Sequence, residues 1–120
     1  EKKKMLIVED DKALSLVLSK YYGRHYEVKT ASNSNECQET IRRYTPDIVL
    51  LDYYLPGKTG GELFSIIKNA APEARIIILS ANESSQTVVD LIKLGVRDYV
   101  VKGNNAIEEI DEILGTPKEE

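Results

Sequence analysis

The sequence predicts an α/β fold: a doubly wound, five-stranded parallel sheet with helices on both of its faces. Five short runs of aliphatic or alternating residues have the character of strands, and the segments between them repeat apolar residues at helical spacing. Strands that alternate with helices through short loops form parallel crossovers, and helices then cover both faces of the sheet. The predicted strands are residues 5–8, 26–31, 48–51, 75–79 and 98–101.

Capping residues delimit the helices between these strands. The first helix runs from Lys12 to Tyr22, with Asp11 as its N-cap and Gly23 as its C-cap. Asn33, with Glu36 three residues later, resembles a capping signal for the second helix. In each helix the apolar residues that recur at helical spacing are expected to face the sheet. They are Leu14, Val17, Leu18 and Tyr21; Cys37, Ile41 and Tyr44; Leu63, Ile66, Ile67 and Ala70; Val88, Leu91 and Ile92; and Ile107, Ile110 and Leu114.

The polarity of the strands predicts their order. IVLL (48–51) and IIIL (76–79) are the most aliphatic and are expected at the centre, whereas YEVKTA (26–31) is the most polar and is expected at an edge. The order 2-1-3-4-5 satisfies both expectations. Sheets of this kind bind ligands outside the carboxyl ends of their strands, so functional side chains are expected where each strand ends.

Length and composition restrict the partners of the chain. Its 120 residues suit a single domain, and its net charge of −4 argues against direct contact of this domain with nucleic acid. No stretch approaches the ~20 apolar residues of a membrane span, so no membrane contact is expected. The single cysteine, Cys37, excludes an internal disulfide and fits a reducing compartment, so we expect a cytoplasmic location.

The two ends suggest a piece of a longer protein. The chain begins at Glu1 instead of a methionine, and it ends in GTPKEE, which has the character of a linker. We therefore expect one domain over residues 1–120, with a core of about 4–114 and the start of a linker at 115–120.

Polar side chains stand at the ends of four predicted strands. Clustered carboxylates need a neutralising cation, and Mg²⁺ prefers such oxygen ligands. Asp10 and Asp52 could bind Mg²⁺ directly, with Glu9 holding a metal-bound water. The alternative is that the acids after the first strand are surface residues favoured by a helix dipole. The residues at these ends are Glu9, Asp10 and Asp11 for the first strand, Asp52 for the third, Ser80 for the fourth and Lys102 for the fifth.

Asp52 is the least easily explained of these residues as a surface group. A carboxylate that closes a buried strand is costly without a partner. A carboxylate can also act as a nucleophile and form an aspartyl phosphate. Lys102 could pair with Asp52 at rest and with a phosphoryl oxygen later, and Ser80 could hydrogen-bond another phosphoryl oxygen. The set of strand-end residues therefore favours phosphoryl transfer over a structural role.

Four motifs in order, LIVEDD, IVLLDYYLPGKTGG, IIILSA and RDYVVK, resemble the receiver domain of two-component response regulators. The resemblance spans essentially residues 4–114 and implies a flavodoxin-like fold and a Mg²⁺ cofactor. It also implies the following roles: an acidic pair at Glu9 and Asp10, the phosphoacceptor at Asp52, a metal-binding backbone carbonyl at Tyr54, switch residues at Ser80 and Tyr99, a phosphate-binding lysine at Lys102, and residues that tune dephosphorylation at Tyr54 and Asn82.

The resemblance further implies the partners and the output. A phosphohistidine of a sensor histidine kinase or phosphotransfer domain would donate the phosphoryl group. The domain would catalyse its own Mg²⁺-dependent phosphorylation and slow dephosphorylation, without being a conventional enzyme. Ser80 and Tyr99 would then move and reshape the surface of the fourth helix, fifth strand and fifth helix, which is a possible homodimer interface. An output domain could follow in the same chain.

Three other functions are compatible with parts of the pattern. A flavodoxin-like electron carrier needs a hydroxyl-rich phosphate loop where this chain has Glu9, Asp10 and Asp11, whose charges would repel a flavin phosphate. A haloacid-dehalogenase-type phosphatase needs a carboxylate where Tyr54 stands. A pseudo-receiver that acts without phosphorylation remains an alternative, because Gly103 replaces the proline that usually follows the family's lysine.

Overall fold

Strands and helices alternate along the chain in the predicted order. The computed structural model describes residues 2–81 and 84–115. Each predicted strand forms, and three of them extend one or two residues beyond the predicted bounds. The elements are β1 (Lys3–Val8), α1 (Lys12–Tyr22), β2 (Tyr26–Ala31), α2 (Ser34–Arg43), β3 (Ile48–Asp52), α3 (Gly60–Ala70), β4 (Arg75–Ser80), α4 (Ser85–Lys93), β5 (Asp98–Val101) and α5 (Ala106–Leu114).

The five strands form one parallel sheet in the order β2-β1-β3-β4-β5, which confirms the predicted flavodoxin-like order. Every residue of β3 is buried, as expected for a central strand, whereas β2 lies at an edge and exposes half of its residues. In the register of the sheet Asp52 lies opposite Leu79, and Ser80 lies opposite Val101. The ends of β3, β4 and β5 therefore meet at one rim of the sheet.

Two apolar layers hold the helices to the sheet, because successive strand residues point to opposite faces. The layer under α2, α3 and α4 includes Leu6, Val49, Leu51 and Ile78. The layer under α1 and α5 includes Met5, Ile7, Leu50 and Ile77. Among the residues that the structure describes, no helix is long and apolar enough to cross a membrane.

Three of the predicted inward-facing helix residues lie outside the core. Val17 is 53% exposed because the buried line of α1 runs through Leu18 and Tyr22, one position further along the helix. Ile92 is 63% exposed because Leu91 is the one fully buried residue of α4. Ala70 is exposed because it ends α3 after the last buried turn. The orientations predicted for these three residues are wrong.

The predicted N-caps are confirmed for the first two helices. The Asp11 carboxylate accepts hydrogen bonds from the amides of Ala13 at 3.0 Å and Leu14 at 3.2 Å. The Asn33 side chain accepts one from the Glu36 amide at 2.9 Å. These contacts satisfy amides that a helix leaves unpaired at its first turn. The start of α1 is thereby fixed directly beside the end of β1.

The loop between β3 and α3 contains a glycine that the packing requires. Gly57 has a φ of +102°, a backbone conformation that residues with a side chain rarely adopt. A Cβ atom at this position would also lie 2.3 Å from the Oγ atom of Ser34, at the start of α2. Both constraints restrict position 57 to glycine.

We expect Gly57→Ala to lower the free energy of unfolding by about 2 kcal/mol or more, because it adds both backbone strain and a steric clash. Gly103→Ala is the matched control, since a Cβ there meets no atom within 4 Å and its φ is not in the left-handed region. Urea titration of both variants measures the difference. Equal stability of the two variants would contradict this account of the loop.

Candidate functional site

Three carboxylates meet at the carboxyl ends of β1 and β3. One oxygen from each of Glu9, Asp10 and Asp52 lies within 4.8 Å of the others. Glu9 is 1% exposed and Asp52 is 2% exposed, whereas Asp10 is open to solvent. Asp52 is the last residue of β3, which pairs with β1 on one side and β4 on the other. The sheet order therefore brings together acids that are more than 40 residues apart in the chain.

Lys102, directly after β5, supplies the positive charge of this cluster. Its Nζ atom lies 2.8 Å from Oε1 of Glu9 and 3.2 Å from Oδ2 of Asp52. The Lys102 backbone amide donates a hydrogen bond to the Ser80 carbonyl at 2.9 Å. The ammonium thus bridges two buried carboxylates, while its main chain is fixed to the end of β4.

Backbone amides hold the remaining carboxylate oxygens. Oε2 of Glu9 accepts a hydrogen bond from the Asp11 amide at 3.0 Å. Oδ1 of Asp52 accepts one from the Tyr54 amide at 3.1 Å. Each buried carboxylate therefore places one oxygen on Lys102 and the other on an N–H group. This arrangement fixes the orientation of both groups.

The electrostatics of the site are dominated by burial and by repulsion between acids. Burial, reinforced by the charge of Glu9, raises the pKa of Asp52 to about 7, although Lys102 and the Tyr54 amide oppose the shift. Burial alone would lower the pKa of Lys102, but its hydrogen bonds and charge interactions with Glu9 and Asp52 outweigh burial and raise it. The Asp52 shift thus results mainly from burial, and the Lys102 shift results from its two carboxylate partners.

The donor set fits a hard divalent cation. Three carboxylates and one ammonium carry a formal charge of −2 when all are ionised. Carboxylate oxygens are the ligands that Mg²⁺ and Ca²⁺ prefer, and a divalent cation would balance this charge. The exposed side of the cluster, at Asp10, leaves room for water as further ligands.

Three other predicted site residues lie on β4 and β5 or two residues after β3. Ser80 is fully buried at the end of β4, one residue beyond the partner of Asp52 in the sheet. Tyr99 lies in β5 and packs partly buried against the apolar layer under α2, α3 and α4. Tyr54 is 50% exposed next to Asp52. Asn82 lies outside the described residues.

Two features of the site were not predicted from the sequence. One is the ion pair of Lys102 with Glu9, which is shorter than its contact with Asp52. The other is Tyr53, whose ring meets the Tyr54 ring edge-on with centroids 4.8 Å apart. The sequence does show two tyrosines directly after Asp52. The periodicity of apolar residues, however, does not reveal which way their rings point.

The chain belongs to the response regulator receiver domain family of two-component signalling, whose model matches residues 5–114. The transcriptional regulatory protein KdpE of Staphylococcus aureus is 36% identical over 106 residues, which cover 88% of this chain and 46% of KdpE. The chemotaxis protein CheY of Thermotoga maritima is 33% identical over 102 residues, which cover 83% of this chain and 85% of CheY. The chain therefore spans less than half of one relative and most of the other.

Solved structures agree with this assignment. A response regulator from Burkholderia pseudomallei with a phosphorylated aspartic acid and a calcium ion has a TM-score of 0.78 and 25% identity, over 97% of this chain and 76% of that one. The response regulator TrrA from Thermotoga maritima in complex with Mg²⁺-BeF has a TM-score of 0.79 and 29% identity, over 94% of this chain and 97% of that one. The resemblance found in the sequence is thus confirmed.

We expect Asp52→Asn to stabilise the metal-free protein at pH 8 by about 2 kcal/mol. Because the pKa of Asp52 is raised from 3.8 to about 7 by folding, the folded chain holds this proton more tightly than the unfolded chain. The ionised carboxylate therefore opposes folding, and its cost grows as the pH rises from about 4 to about 7. The gain in the free energy of unfolding of Asp52→Asn over the parent should be smaller at pH 5 than at pH 8. Urea titration with a chelator present measures it.

Asp11→Asn is the matched control, because it removes an exposed carboxylate but keeps a side chain that can cap α1. This control should show little change at either pH. A loss of stability in Asp52→Asn at pH 8, or an equal gain at both values, would contradict the cost assigned to Asp52.

Proposed function

We propose that Asp52 accepts a phosphoryl group from a phosphohistidine of a sensor histidine kinase or phosphotransfer domain. The observation that carries this proposal is a buried strand-end carboxylate with Lys102 3.2 Å from one of its oxygens and two further acids beside it. A carboxylate in these surroundings is unfavourable as a structural group and suited to act as a nucleophile. The phosphorylated aspartic acid of the Burkholderia response regulator supports the same reaction here.

The transfer exchanges one bond for another. An oxygen of Asp52 forms a bond to phosphorus, the bond from phosphorus to the histidine nitrogen breaks, and the nitrogen keeps the electron pair. Lys102 compensates the negative charge of Asp52 before the reaction and that of a phosphoryl oxygen during and after it. Ser80 hydrogen-bonds another phosphoryl oxygen.

Mg²⁺ is the proposed cofactor. Asp10, Asp52 and the backbone carbonyl of Tyr54 would bind it directly, and Glu9 would bind it through a water molecule. When bound, it supplies positive charge to the phosphoryl oxygens. The clustering of three carboxylates around a site with excess negative charge supports this assignment, as does the Mg²⁺-BeF complex of TrrA.

The output is a switch of the surface formed by α4, β5 and α5. Ser80 moves toward the phosphoryl group, and Tyr99 turns into the space that it leaves. Val89, Ile92 and Leu94 expose apolar side chains on and next to α4, which supports a partner or a second copy of the chain docking there. The identity to KdpE, a longer transcriptional regulatory protein, supports an output domain in the same chain.

The phosphoryl transfer is proposed to take place in the cytoplasm. This domain is proposed to contact neither membrane nor nucleic acid. A reducing compartment fits the single cysteine, Cys37, which is buried in the core. The net charge of −4 does not favour binding to a phosphate backbone.

We expect the protein to gain one phosphoryl group when it is incubated with Mg²⁺ and a small-molecule phosphodonor. Asp52→Asn should gain none, because its amide lacks the nucleophilic carboxylate. Intact-mass spectrometry with and without a chelator measures both results. Asp11→Asn is the control for removing a nearby carboxylate outside the proposed machinery, and it should be phosphorylated like the parent.

Two outcomes would point elsewhere. Phosphorylation of Asp52→Asn to the same extent would assign the acceptor to another residue. Failure of the parent to gain a phosphoryl group, together with no binding of Mg²⁺ by calorimetry, would favour a pseudo-receiver that binds partners without phosphorylation.

Tyr54 is proposed to lengthen the lifetime of the phosphoryl group, with Asn82 as a second residue that tunes it. Its half-exposed ring stands two residues beyond Asp52. We expect Tyr54→Ala to lose phosphate about fivefold faster, a change equivalent to about 1 kcal/mol in the barrier. Tyr54→Phe keeps the ring and should keep the parent lifetime, measured by intact mass after the donor is removed. An unchanged lifetime in Tyr54→Ala would rule out this role.

A further inference from the structure

The main chain of Tyr53 is fixed on both sides. Its amide donates a hydrogen bond to the Leu79 carbonyl of β4 at 2.8 Å, and its carbonyl accepts one from the Gly60 amide at 2.8 Å. Gly60 lies so close that a Cβ atom there would be 2.6 Å from the Cα atom of Tyr53. Tyr53 is therefore clamped between the end of β4 and the first residue of α3.

The side chain of Tyr53 packs against the core. Its ring is partly buried and packs, with Tyr99, against the apolar layer under α2, α3 and α4. Burial raises the pKa of the Tyr53 hydroxyl, and the neighbouring phenol of Tyr54 and carboxylate of Asp90 raise it further. The ring thus lies against this apolar layer, while the backbone of Tyr53 is held by hydrogen bonds on both sides.

The side chain of Tyr54 has fewer contacts than that of Tyr53. Its main chain is held by the hydrogen bond to Asp52 and by a bridge with Thr59. Its side chain is half exposed, and within the described part of the chain its one aromatic contact is the edge-on packing against Tyr53. The two rings lie at 85° to each other, in the T-shaped geometry that aromatic pairs prefer.

We propose that Tyr53 is a positioning residue that holds the Tyr54 ring at the rim of the Asp52 site and thereby sets the lifetime of the phosphoryl group. The proposal rests on the proposed function of Asp52. In the hydrolysis that ends this lifetime, a water oxygen bonds to phosphorus and the bond to the Asp52 oxygen breaks. Asp52 leaves as a carboxylate, and the protons of the water go to phosphate and solvent. Tyr53 touches none of these atoms and acts only through Tyr54.

The test compares Tyr53→Phe, which keeps the ring, with Tyr53→Leu, which removes it. We expect Tyr53→Phe to keep the parent lifetime and Tyr53→Leu to shorten it by about two- to fivefold, approaching Tyr54→Ala. In a Tyr54→Ala background, Tyr53→Leu should cause no further shortening, because the ring that it positions is gone. The lifetimes are measured by intact mass after the donor is removed.

A second readout does not depend on phosphorylation. The ring protons of Tyr54, followed by NMR in the unphosphorylated protein, should shift in Tyr53→Leu and stay close to their parent values in Tyr53→Phe. Tyr44→Leu is the control for general destabilisation, because Tyr44 is buried beside β2 and contacts Glu27 and lysine side chains instead of the site. It should change neither the lifetime nor the Tyr54 resonances.

The outcomes separate this proposal from the function on which it rests. A phosphorylated parent whose lifetime is unaffected by Tyr53→Leu would overturn the role of Tyr53 and leave Asp52 as the acceptor. An equal loss of lifetime with and without Tyr54 would overturn the route through Tyr54. If the parent is not phosphorylated, the proposed function fails, and unmoved Tyr54 resonances in Tyr53→Leu would overturn the positioning independently.

Discussion

The site depends on the ion pairs that the ammonium of Lys102 forms with Glu9 and Asp52. Two carboxylates that are almost fully buried cannot both be ionised there without a cation. One lysine contacts both, at 2.8 Å and 3.2 Å, and backbone amides hold the remaining oxygens. Since Lys102 follows β5 directly, the balance of charge also fixes the end of that strand. Removing the ammonium would leave both buried carboxylates without a cation, whereas removing Asp52 leaves Glu9 paired with Lys102.

Ionised Asp52 lowers the stability of the folded chain. The pKa of Asp52 near 7 means that the folded chain opposes its ionisation at neutral pH, even with Lys102 in place. The aliphatic residues of β3 before it are all buried and bring compensating stability. Stability does not explain a carboxylate in such a position beside further acids, whereas the proposed binding of a cation and a phosphoryl group does. The same reasoning does not apply to Asp11, whose carboxylate caps a helix in solvent.

The sequence predicted the sheet order and the members of the charge cluster because both follow from local signals. Aliphatic runs locate the central strands, and parallel strands bring their carboxyl ends to one rim, so Asp52 and Lys102 had to approach each other. The orientation of side chains is harder to predict from the sequence. Spacing alone placed Val17 and Ile92 inward, but a helix on a sheet buries a narrower line of residues than a regular repeat suggests. The Glu9–Lys102 contact and the direction of the Tyr53 ring depend on packing across several elements, which no local pattern encodes.

The position of β5 in the sheet determines which strand responds to a change of charge at Asp52. β3 lies between β1 and β4 and is buried along its whole length, so it has little freedom to move. β5 is four residues long and lies at the edge, and among the described strands it pairs with β4 alone. Lys102 follows β5 directly and contacts Asp52, and Tyr99 lies on β5 three residues before Lys102. The proposed phosphoryl group on Asp52 would draw the Lys102 ammonium toward new oxygens, so β5, which has a neighbouring strand on one side and is tied to the site through Lys102, would respond before β3.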